Sequence, residues 1–412
     1  MFFYSNQDLY CEQVALADVA AQAGTPAYVY SSRSILENYR AYDQAFGGLP
    51  HQVCYAVKAN SSLAVLGLLA KAGAGFDIVS GGELFRVLQA GGDPSRVVFS
   101  GVGKTPAEVE YALEQGILSF HCESEAELAL IDAMAARRGV KAAFAVRVNP
   151  DVDAATHPYI STGLSQHKFG IAIAEAPAVY ERARSLPNLV ARGVSCHIGS
   201  QILDSSPILE AVDKVLALAN ALRAQGYPIR HLDLGGGLGV AYRPGEKTPG
   251  IRSFVEALEG RLREAGLTVL VEPGRSIVGA AGVLLTRVLY RKKNGDREFV
   301  IVDAAMNDLI RPSLYRAHHE IIPVRRNFLP PIVADVVGPV CETGDFLALE
   351  RRMANVMPGD FLAVSTAGAY GFVQSSNYNS RPRAPEILVE GDRFRVVRQR
   401  ESYRDLVRGE SL

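Results

Sequence analysis

The 412-residue chain carries 43 Lys and Arg against 44 Asp and Glu, which gives a formal net charge of −1. Without excess positive charge it has no electrostatic reason to bind nucleic acid or an anionic membrane surface, so we expect neither partner. Hydrophobic residues make up 48% of the chain and charged residues 21%, which is typical of a folded globular protein and excludes extensive disorder.

Cysteine usage and the absence of an apolar leader both favour a cytoplasmic protein. The five cysteines are scattered, odd in number and never spaced C-x-x-C, so they indicate neither a disulfide framework nor a zinc knuckle. Residues 1–8 have no basic region followed by an apolar one. No apolar run approaches the roughly 18 residues that span a bilayer.

Between residues 50 and 275 the chain alternates between short β-branched runs and amphipathic segments. The β-branched runs predict eight strands, at Val53–Val57, Phe76–Val79, Val97–Phe99, Ile117–Phe120, Phe144–Val148, Gly193–His197, His231–Leu234 and Thr268–Val271. Apolar residues three and four apart predict helices at Leu63–Ala72, Gly82–Ala90, Pro106–Gln115, Glu123–Arg138 and Ile208–Gln225. Parallel strands need crossover helices, so an α/β fold with a (β/α)8 TIM barrel is predicted. A doubly wound sheet is the weaker alternative.

From about residue 278 the pattern changes to strands with few helices, which predicts a mostly antiparallel β domain. These strands are predicted at Gly282–Tyr290, Phe299–Asp303, Ile332–Val337, Phe361–Val364 and Glu386–Val389. An early strand, Thr25–Ser31, is assigned to the same domain. The predicted division is an N-terminal segment 1–35 that joins the β domain, a barrel 36–277 and a C-terminal β domain 278–412.

Three familiar motifs fail on inspection. The segment 100–105 lacks the first glycine of a P-loop, because Val98 stands in its place. The glycine-rich segment 235–240 ends in Val where a dinucleotide fingerprint has Gly or Ala. The run 318–320, His-His-Glu, lacks the spacing of a metalloprotease and is expected to be a solvated polar loop. No metal site is predicted.

In a closed barrel, the chemistry takes place at the C-terminal ends of the strands. This rule selects residues without knowledge of the function, and it brings an amine, an imidazole, a glycine-rich loop and a Glu/Arg pair to one mouth. The selected residues are Lys58, Asp77, Ser100, Gly101, Arg147, Asn149, His197, Gly235–Gly237 and Glu272–Arg275.

Lys58 ends an apolar strand, where desolvation and neighbouring cations would make its amine available for a Schiff base. A lysine that merely extends to solvent from a strand end is the plainer explanation. Gly235–Gly237 allow consecutive backbone N–H groups to face an anion such as phosphate. A simple tight turn would use the same glycines.

Glu272 could be a structural carboxylate paired with Arg275. Beside an amine and an anion-binding loop, another role is more economical, because a carboxylate next to a pyridine nitrogen keeps that nitrogen protonated. A protonated pyridine is the electron sink of pyridoxal phosphate (PLP) chemistry. His197 would then offer an aromatic face for stacking on the ring, with a core histidine as the competing explanation.

Ten motifs spread over nearly the whole chain carry a resemblance to a known family; they lie at residues 55–60, 76–80, 100–105, 147–150, 197–201, 233–237, 272–275, 307–315, 341–345 and 368–371. The chain resembles the diaminopimelate decarboxylases, PLP enzymes of the alanine-racemase-like barrel class. Several of the motifs are shared with sister decarboxylases, but the full set is specific.

The resemblance implies that PLP is the cofactor, that Lys58 carries it covalently and that Glu272 meets its pyridine nitrogen. The remaining cofactor-binding residues that it implies are Asp77, His197, Ser200, Gly237, Gly274, Arg275 and Tyr370. It also implies a homodimer with composite active sites, in which Cys341 and Glu342 reach the partner's barrel mouth. Cys341, together with Lys58 and His197, would be catalytic, with Cys341 as the proton donor.

The arginines indicate which substrate is decarboxylated. A departing carboxylate should not be tied to a guanidinium, because that pairing stabilises the ground state and is lost with CO2. Arg275 and Arg311, with Tyr315, therefore suggest a carboxylate that stays behind. Meso-diaminopimelate keeps such an end when it becomes L-lysine, and Glu342 could bind its distal ammonium. Tyr370 completes the expected substrate-binding set.

Three alternatives remain. A basic amino-acid decarboxylase acting on ornithine, arginine or lysine would want an acidic distal pocket, which the two arginines argue against. An amino-acid racemase is usually served by a poor electron sink rather than by a carboxylate at the pyridine nitrogen. A non-catalytic PLP-binding relative would have little reason to retain Lys58, Glu272 and Cys341 together.

Overall fold

The computed structural model describes residues 2–152 and 168–412, and the chain divides into two compact units. The barrel unit comprises residues 38–240 and 247–276, and the β unit comprises residues 1–37, 241–246 and 277–412. Residues 241–246 therefore lie in the β unit, within the range that the sequence analysis gives to the barrel. None of the helices in the described ranges is both long enough and apolar enough to cross a membrane.

Eight parallel strands form a closed sheet in the barrel unit, which confirms the predicted barrel. In chain order they are His51–Ala56, Gly75–Ile78, Val97–Phe99, Ser119–Cys122, Ala142–Asn149, Leu189–Cys196, His231–Asp233 and Thr268–Val271. Each pairs with the next. The last strand pairs with the first, with Val269 opposite His51, and so closes the sheet. A two-residue strand, Ile171–Ala172, pairs parallel with the end of the fifth strand.

Helices connect the barrel strands and confirm the predicted alternation. They span Leu63–Lys71, Gly81–Gln89, Pro106–Gln115, Glu125–Arg138, Ala176–Ala183, Ser206–Ala224 and Ile251–Ala265, and Ser32–Phe46 precedes the first strand. Polar residues at the ends of the connecting loops start several of them. The Ser80 side chain accepts from the Glu83 N–H, and Thr105 forms a capping box at the next helix. Ala176–Ala183 and Ile251–Ala265 lie in intervals between strands for which the sequence analysis gives no helix bounds.

The β unit is built on a mostly antiparallel sheet, as predicted. Its strands are Ala27–Ser31, Gly282–Asn294, Arg297–Val302, Ile321–Pro323, Ile332–Val337, Phe346–Met353, Phe361–Val364, Glu386–Glu390 and Arg393–Arg398. The long strand Gly282–Asn294 pairs antiparallel with Ala27–Ser31 on one side. Phe361–Val364 pairs with it on the other side, and Arg297–Val302 pairs antiparallel with its C-terminal part. The assignment of the early strand to this domain is thus confirmed.

Several elements of the β unit were not predicted. A small antiparallel sheet joins Phe2–Ser5, Asp8–Cys11 and Val14–Ala15. Two strands of the main sheet, Phe346–Met353 and Arg393–Arg398, carry exposed charged residues that interrupt the apolar pattern. The short helices are Leu16–Ala23, Arg311–Tyr315 and Tyr403–Leu406, and Arg275–Val278 follows the last barrel strand.

The interior of the barrel contains ionisable side chains among its apolar ones. Asp77, His121 and Asp233 lie on the second, fourth and seventh strands, and each has no exposed surface. A buried charge is costly unless it is paired, so ionisable groups at these positions indicate a site rather than ordinary packing.

Candidate active site

Lys58 lies directly after the first barrel strand, in the single turn of 3₁₀ helix Val57–Ala59. Its Nζ donates a hydrogen bond to Oδ2 of Asp77 at 2.5 Å. The carboxylate is fully buried, whereas one third of the lysine side chain is exposed. The charged partner of Lys58 is therefore an anion, whereas the sequence analysis expected neighbouring cations.

Glu272 follows the eighth barrel strand and is buried. The hydroxyl of Ser100, which follows the third strand, donates to its Oε1 at 3.3 Å. Nδ1 of His121 lies 3.5 Å from the same oxygen. Burial would raise the pKa of Glu272, but hydrogen bonding with His121 and the charge of Lys58 outweigh burial and lower it to about 2. Glu272 is thus an anion at neutral pH.

Asp233, on the seventh strand, is the second carboxylate beside His121, at 3.7 Å from Nδ1. Its Oδ1 accepts a hydrogen bond from the Gly235 N–H at 2.7 Å. Burial and the charge of Glu272 raise the pKa of Asp233 well above its usual range. The pKa values of the two neighbouring carboxyl groups are therefore shifted in opposite directions, down for Glu272 and up for Asp233.

His197 follows the sixth strand, and its ring is held by the glycine-rich loop. The Gly236 N–H donates to Nδ1 of His197 at 3.1 Å, which leaves the proton of a neutral ring on Nε2. Burial, with the charges of Arg147 and Lys58, lowers the pKa of His197 to about 3. The ring is therefore neutral and can present an aromatic face to a planar ligand.

The glycine-rich loop packs so closely that side chains are excluded from it. A Cβ on Gly236 would lie 2.2 Å from the Glu272 carbonyl oxygen, and one on Gly235 would lie 2.6 Å from Nδ1 of His197. Gly237 has a φ of +110°, a conformation that other residues rarely adopt. The three glycines thus bring the backbone against the ends of the sixth and eighth strands.

Arg275 and Gly274 lie at the start of the turn after the eighth strand. Nη2 of Arg275, a buried side chain, donates to Oγ of Ser200 at 2.9 Å. A Cβ on Gly274 would lie 2.8 Å from that of Ala59, next to Lys58. Gly274 thus lies close to the end of the first strand, and Arg275 contacts the loop after the sixth strand.

A cavity of about 160 Å³ connects several of these groups. It is lined by Lys58, Val79, Ser100, Gly101, Arg147, Phe169, Ser195, His197 and Glu272. The amine suits an aldehyde, and the buried anionic carboxylate suits a protonated pyridine nitrogen. The neutral imidazole suits an aromatic ring, and the glycine-rich loop suits a phosphate. The residues present therefore fit PLP.

Arg311 and Tyr315 lie on one short helix of the β unit. Nε of Arg311 donates to Nε2 of His319 at 3.3 Å, and Nδ1 of His319 donates to the Ser365 carbonyl at 2.9 Å. The guanidinium also lies 5.0 Å from the centre of the Tyr242 ring. Contrary to the expected solvated loop, His319 is fully buried, and its ring holds this arginine.

The other predicted site residues also belong to the β unit. Cys341 is the exposed member of the five free cysteines. Its backbone N–H donates to Asn379, and the neighbouring Glu342 accepts a hydrogen bond from the Tyr378 hydroxyl at 2.7 Å. Tyr370 adopts a positive φ of 55°, which is uncommon for a bulky residue.

Sequence reasoning missed His121 and Asp233 and gave no partner for Arg147. Glu123 follows the fourth strand, and its Oε1 accepts a hydrogen bond from Nη1 of Arg147 at 3.0 Å. The strand-end rule, applied to the fourth strand as observed, would have selected His121 and Glu123.

Comparison with known proteins agrees with this geometry. Residues 32–279 match the pyridoxal binding domain of the pyridoxal-dependent decarboxylases. The diaminopimelate decarboxylase of Pseudomonas aeruginosa is 56% identical over 411 residues, which cover 100% of this chain and 99% of that protein. That of Vibrio cholerae is 53% identical, with 100% and 98% covered.

Solved structures give the same result. The diaminopimelate decarboxylase of Helicobacter pylori, crystallised in complex with L-lysine, superposes with a TM-score of 0.92 at 44% identity and covers 95% of this chain and 98% of its own. Since the matches run from end to end and include the domain that binds the cofactor, the chain belongs to the diaminopimelate decarboxylases, a family of pyridoxal-dependent decarboxylases.

Proposed function

We propose that this protein uses PLP held on Lys58 to decarboxylate meso-2,6-diaminopimelate to L-lysine and CO2. The observation that carries the proposal is that Lys58 and Glu272 line one cavity at the C-terminal ends of the barrel strands, with His197 between them in the chain and beside them in the cavity. The end-to-end similarity to diaminopimelate decarboxylases supports the choice of substrate.

Bound PLP supplies an electron sink for the electron pair that the departing carboxylate leaves behind. Glu272 would hold a proton on the pyridine nitrogen, because an ionised carboxylate accepts a hydrogen bond from a protonated ring. His197, kept neutral and fixed by Gly236, would stack on the ring without repelling its positive charge. The amide groups of Gly237, Gly274 and Arg275, with Ser200 and Tyr370, would bind the phosphate.

Asp77 would compensate the ammonium of Lys58 while the lysine is free. With PLP bound, Asp77 would stay beside Nζ of Lys58 and would favour a proton there. Asp77 would thus support cofactor binding by its contact with Lys58 and not by a contact with the pyridine ring.

Arg311 would hold the distal carboxylate of the substrate, with Arg275, Tyr315 and Tyr370. The contact with His319 and the stacking against Tyr242 fix the arginine before substrate arrives, so little conformational entropy is lost on binding. Glu342 would accept the distal ammonium. This set selects a diamino dicarboxylate over ornithine or lysine, which lack the second carboxylate.

Cys341 would return a proton to Cα, and we extend the proposal to a homodimer in which the β unit of one chain serves the barrel unit of its partner. Complementation tests this arrangement. Lys58→Met and Cys341→Ala chains, each inactive alone, should recover about a quarter of wild-type activity when they are refolded together at equal amounts, because half of the dimers then contain one intact site. Failure to recover any activity would show that each chain uses its own cysteine.

The decisive experiment incubates the protein together with PLP in four reactions, one each with meso-diaminopimelate, L-lysine, L-ornithine and L-arginine. The amine product and the released CO2 are identified in each. We expect L-lysine from meso-diaminopimelate as the dominant product. Cadaverine, putrescine or agmatine as the main product would instead indicate a basic amino-acid decarboxylase. A Lys58→Met control should yield no product from any of the four.

A further inference from the structure

His121 is an ionisable group at the centre of the barrel unit to which the proposed function gives no role. It lies on the fourth strand, has no exposed surface and does not line the cavity. Its Nδ1 faces three oxygens, at 3.4 Å from Ser100 Oγ, 3.5 Å from Glu272 Oε1 and 3.7 Å from Asp233 Oδ2. His121 is therefore next to Glu272, a carboxylate that lines the cavity.

The surroundings of the ring determine which nitrogen carries the proton. Among the described residues, Nε2 of His121 has no hydrogen-bond partner, whereas Nδ1 is surrounded by oxygen acceptors. A buried N–H without an acceptor costs about 1–3 kcal/mol, so the proton belongs on Nδ1. His121 is then a donor toward the Ser100–Glu272 pair.

The backbone of His121 is fixed by a buried lysine. Nζ of Lys104 donates to the His121 carbonyl at 2.7 Å, to the Gly101 carbonyl at 2.8 Å and to the Glu127 carboxylate at 2.5 Å. His121 also lies in register with Ala145 of the fifth strand. The lysine contacts and the sheet therefore both fix the backbone from which the ring projects.

We propose that His121 is a positioning residue that, through its Nδ1–H and the hydroxyl of Ser100, keeps the Glu272 carboxylate ionised and directed at the pyridine nitrogen. A buried carboxylate without such donors would take up a proton and could no longer accept a hydrogen bond from the ring. The inference rests on the proposed function, since it assumes that Glu272 meets the cofactor nitrogen.

The charge balance of the cluster agrees with this role. The pKa of Asp233 is raised and that of Glu272 is lowered, so negative charge is favoured on Glu272, the member of the pair that lines the cavity. His121, Asp233 and Glu272 also place three possible metal ligand atoms within 4.8 Å of one another. A bound metal would be an alternative reason for the arrangement, and it would engage the same carboxylate.

The test compares the affinities of the PLP-free full-length protein for PLP and for 1-deaza-PLP, in which a C–H group replaces the ring nitrogen. The ratio of the two dissociation constants isolates the interaction at that nitrogen, and a general loss of packing would not change it. We expect the wild-type preference for PLP to fall about tenfold in His121→Leu, since the carboxylate would no longer be held as an anion.

Two further variants separate positioning from packing. His121→Asn retains an N–H near Nδ1 and should keep the preference within about threefold of wild type. His231→Leu removes another buried barrel histidine, on the seventh strand, and should leave the ratio unchanged. An unchanged ratio in a folded His121→Leu protein would overturn the inference, and so would a stoichiometric metal that His121→Asn loses.

A measurement on the wild-type protein covers the case in which His121→Leu does not fold. In the ¹⁵N spectrum of PLP-free protein with labelled histidines, the His121 signal is identified by its loss in His121→Asn. We expect a proton on Nδ1, and a ring protonated only on Nε2 would overturn the inference. If wild-type protein itself binds both cofactors equally, the role of Glu272 in the proposed function fails instead.

Discussion

Nζ of Lys58 and Oδ2 of Asp77 are 2.5 Å apart. The amine is partly exposed, whereas the carboxylate has no exposed surface. Oδ1 of Asp77 has no hydrogen-bond partner in the described part of the chain. Burial and the charge of Glu272 raise the pKa of Asp77, and Lys58 opposes both. The lysine that would carry the cofactor thus also stabilises the protein when PLP is not bound.

Lys58→Met should therefore destabilise the PLP-free protein as well as inactivate it. We expect the free energy of unfolding to fall by about 1–3 kcal/mol, because Asp77 is left buried without its cation. Adding Asp77→Asn should restore most of the loss, which denaturant unfolding of the four proteins in a double-mutant cycle would measure. Lys71→Met, at an exposed helix position, is the control. Equal stability of Lys58→Met and wild type would contradict the pairing.

Gly236→Ala should damage the site through the backbone. Its Cβ would lie 2.2 Å from the Glu272 carbonyl oxygen, and a backbone atom cannot move aside without displacing Glu272. A displacement of this kind costs about 10²-fold in kcat, and PLP affinity should fall with it. Gly260→Ala is a matched control, because nothing lies within 4 Å of its Cβ. In that helix Ala should stabilise by about 0.5–1 kcal/mol. A fully active Gly236→Ala protein would refute the expected close contact.

The stability of the barrel should fall in mild acid because of a buried histidine. Burial lowers the pKa of His231 from 6.5 to about 3. Between these values the unfolded chain binds the proton and the folded chain does not, so stability is complete above pH 6.5 and decreases as the pH falls towards 3. One such group contributes a slope of up to about 1.4 kcal/mol per pH unit.

His231→Leu should remove that share of the slope. Denaturant unfolding of both proteins between pH 6 and pH 4 would measure it, with the two curves converging as the pH falls. Parallel curves would mean that His231 has the same pKa in the folded and unfolded chains.

The strand and helix alternation of the barrel could be predicted because apolar periodicity records which faces are buried. Polar residues inside strands cannot be found in this way. The fourth strand was predicted at Ile117–Phe120 from its apolar residues, whereas the observed strand is Ser119–Cys122 and has His121 in its centre. His121 directly follows the predicted strand, as Lys58 and Ser100 follow theirs, but no residue at the end of the fourth strand was selected.

Contacts between distant segments were the second limit. Arg311 was selected from a motif, but its partner His319 was placed in a solvated loop, because nothing in the order of residues 318–320 shows that the ring is covered. Packing of the short helix Arg311–Tyr315 buries both side chains. The sequence therefore identified Arg311 as a site residue, but it did not predict that Arg311 and His319 are buried against each other.

Arg311→Lys should weaken substrate binding without affecting the cofactor. A lysine cannot form the planar two-point contact with a carboxylate, so we expect kcat/KM for meso-diaminopimelate to fall about 10²-fold, chiefly through KM. His319→Gln retains an acceptor for Arg311 and should be milder than His319→Leu. Steady-state kinetics with the absorbance of bound PLP as the control would decide. A loss of PLP instead would show that Arg311 belongs to the cofactor site.

Thiol labelling should identify Cys341 as the functional cysteine. Cys341 is exposed and the other four cysteines are buried. Burial raises the pKa of Cys11 and of Cys196 to about 12, and raises those of Cys54 and Cys122 well above their usual range. A thiol that is neither exposed nor ionised reacts slowly. Brief treatment of the folded protein with iodoacetamide should therefore modify one cysteine.

If Cys341 donates the proton to Cα, activity should disappear in parallel with that single modification. Removing a general acid costs about 10²–10⁴-fold, so Cys341→Ala should lower kcat to that extent and should resist both labelling and further inactivation. Peptide mass spectrometry locates the label, and Cys341→Ser shows whether a hydroxyl can replace the thiol. Full activity of the completely labelled protein would exclude the cysteine from proton transfer, since an alkylated sulfur has no proton to donate.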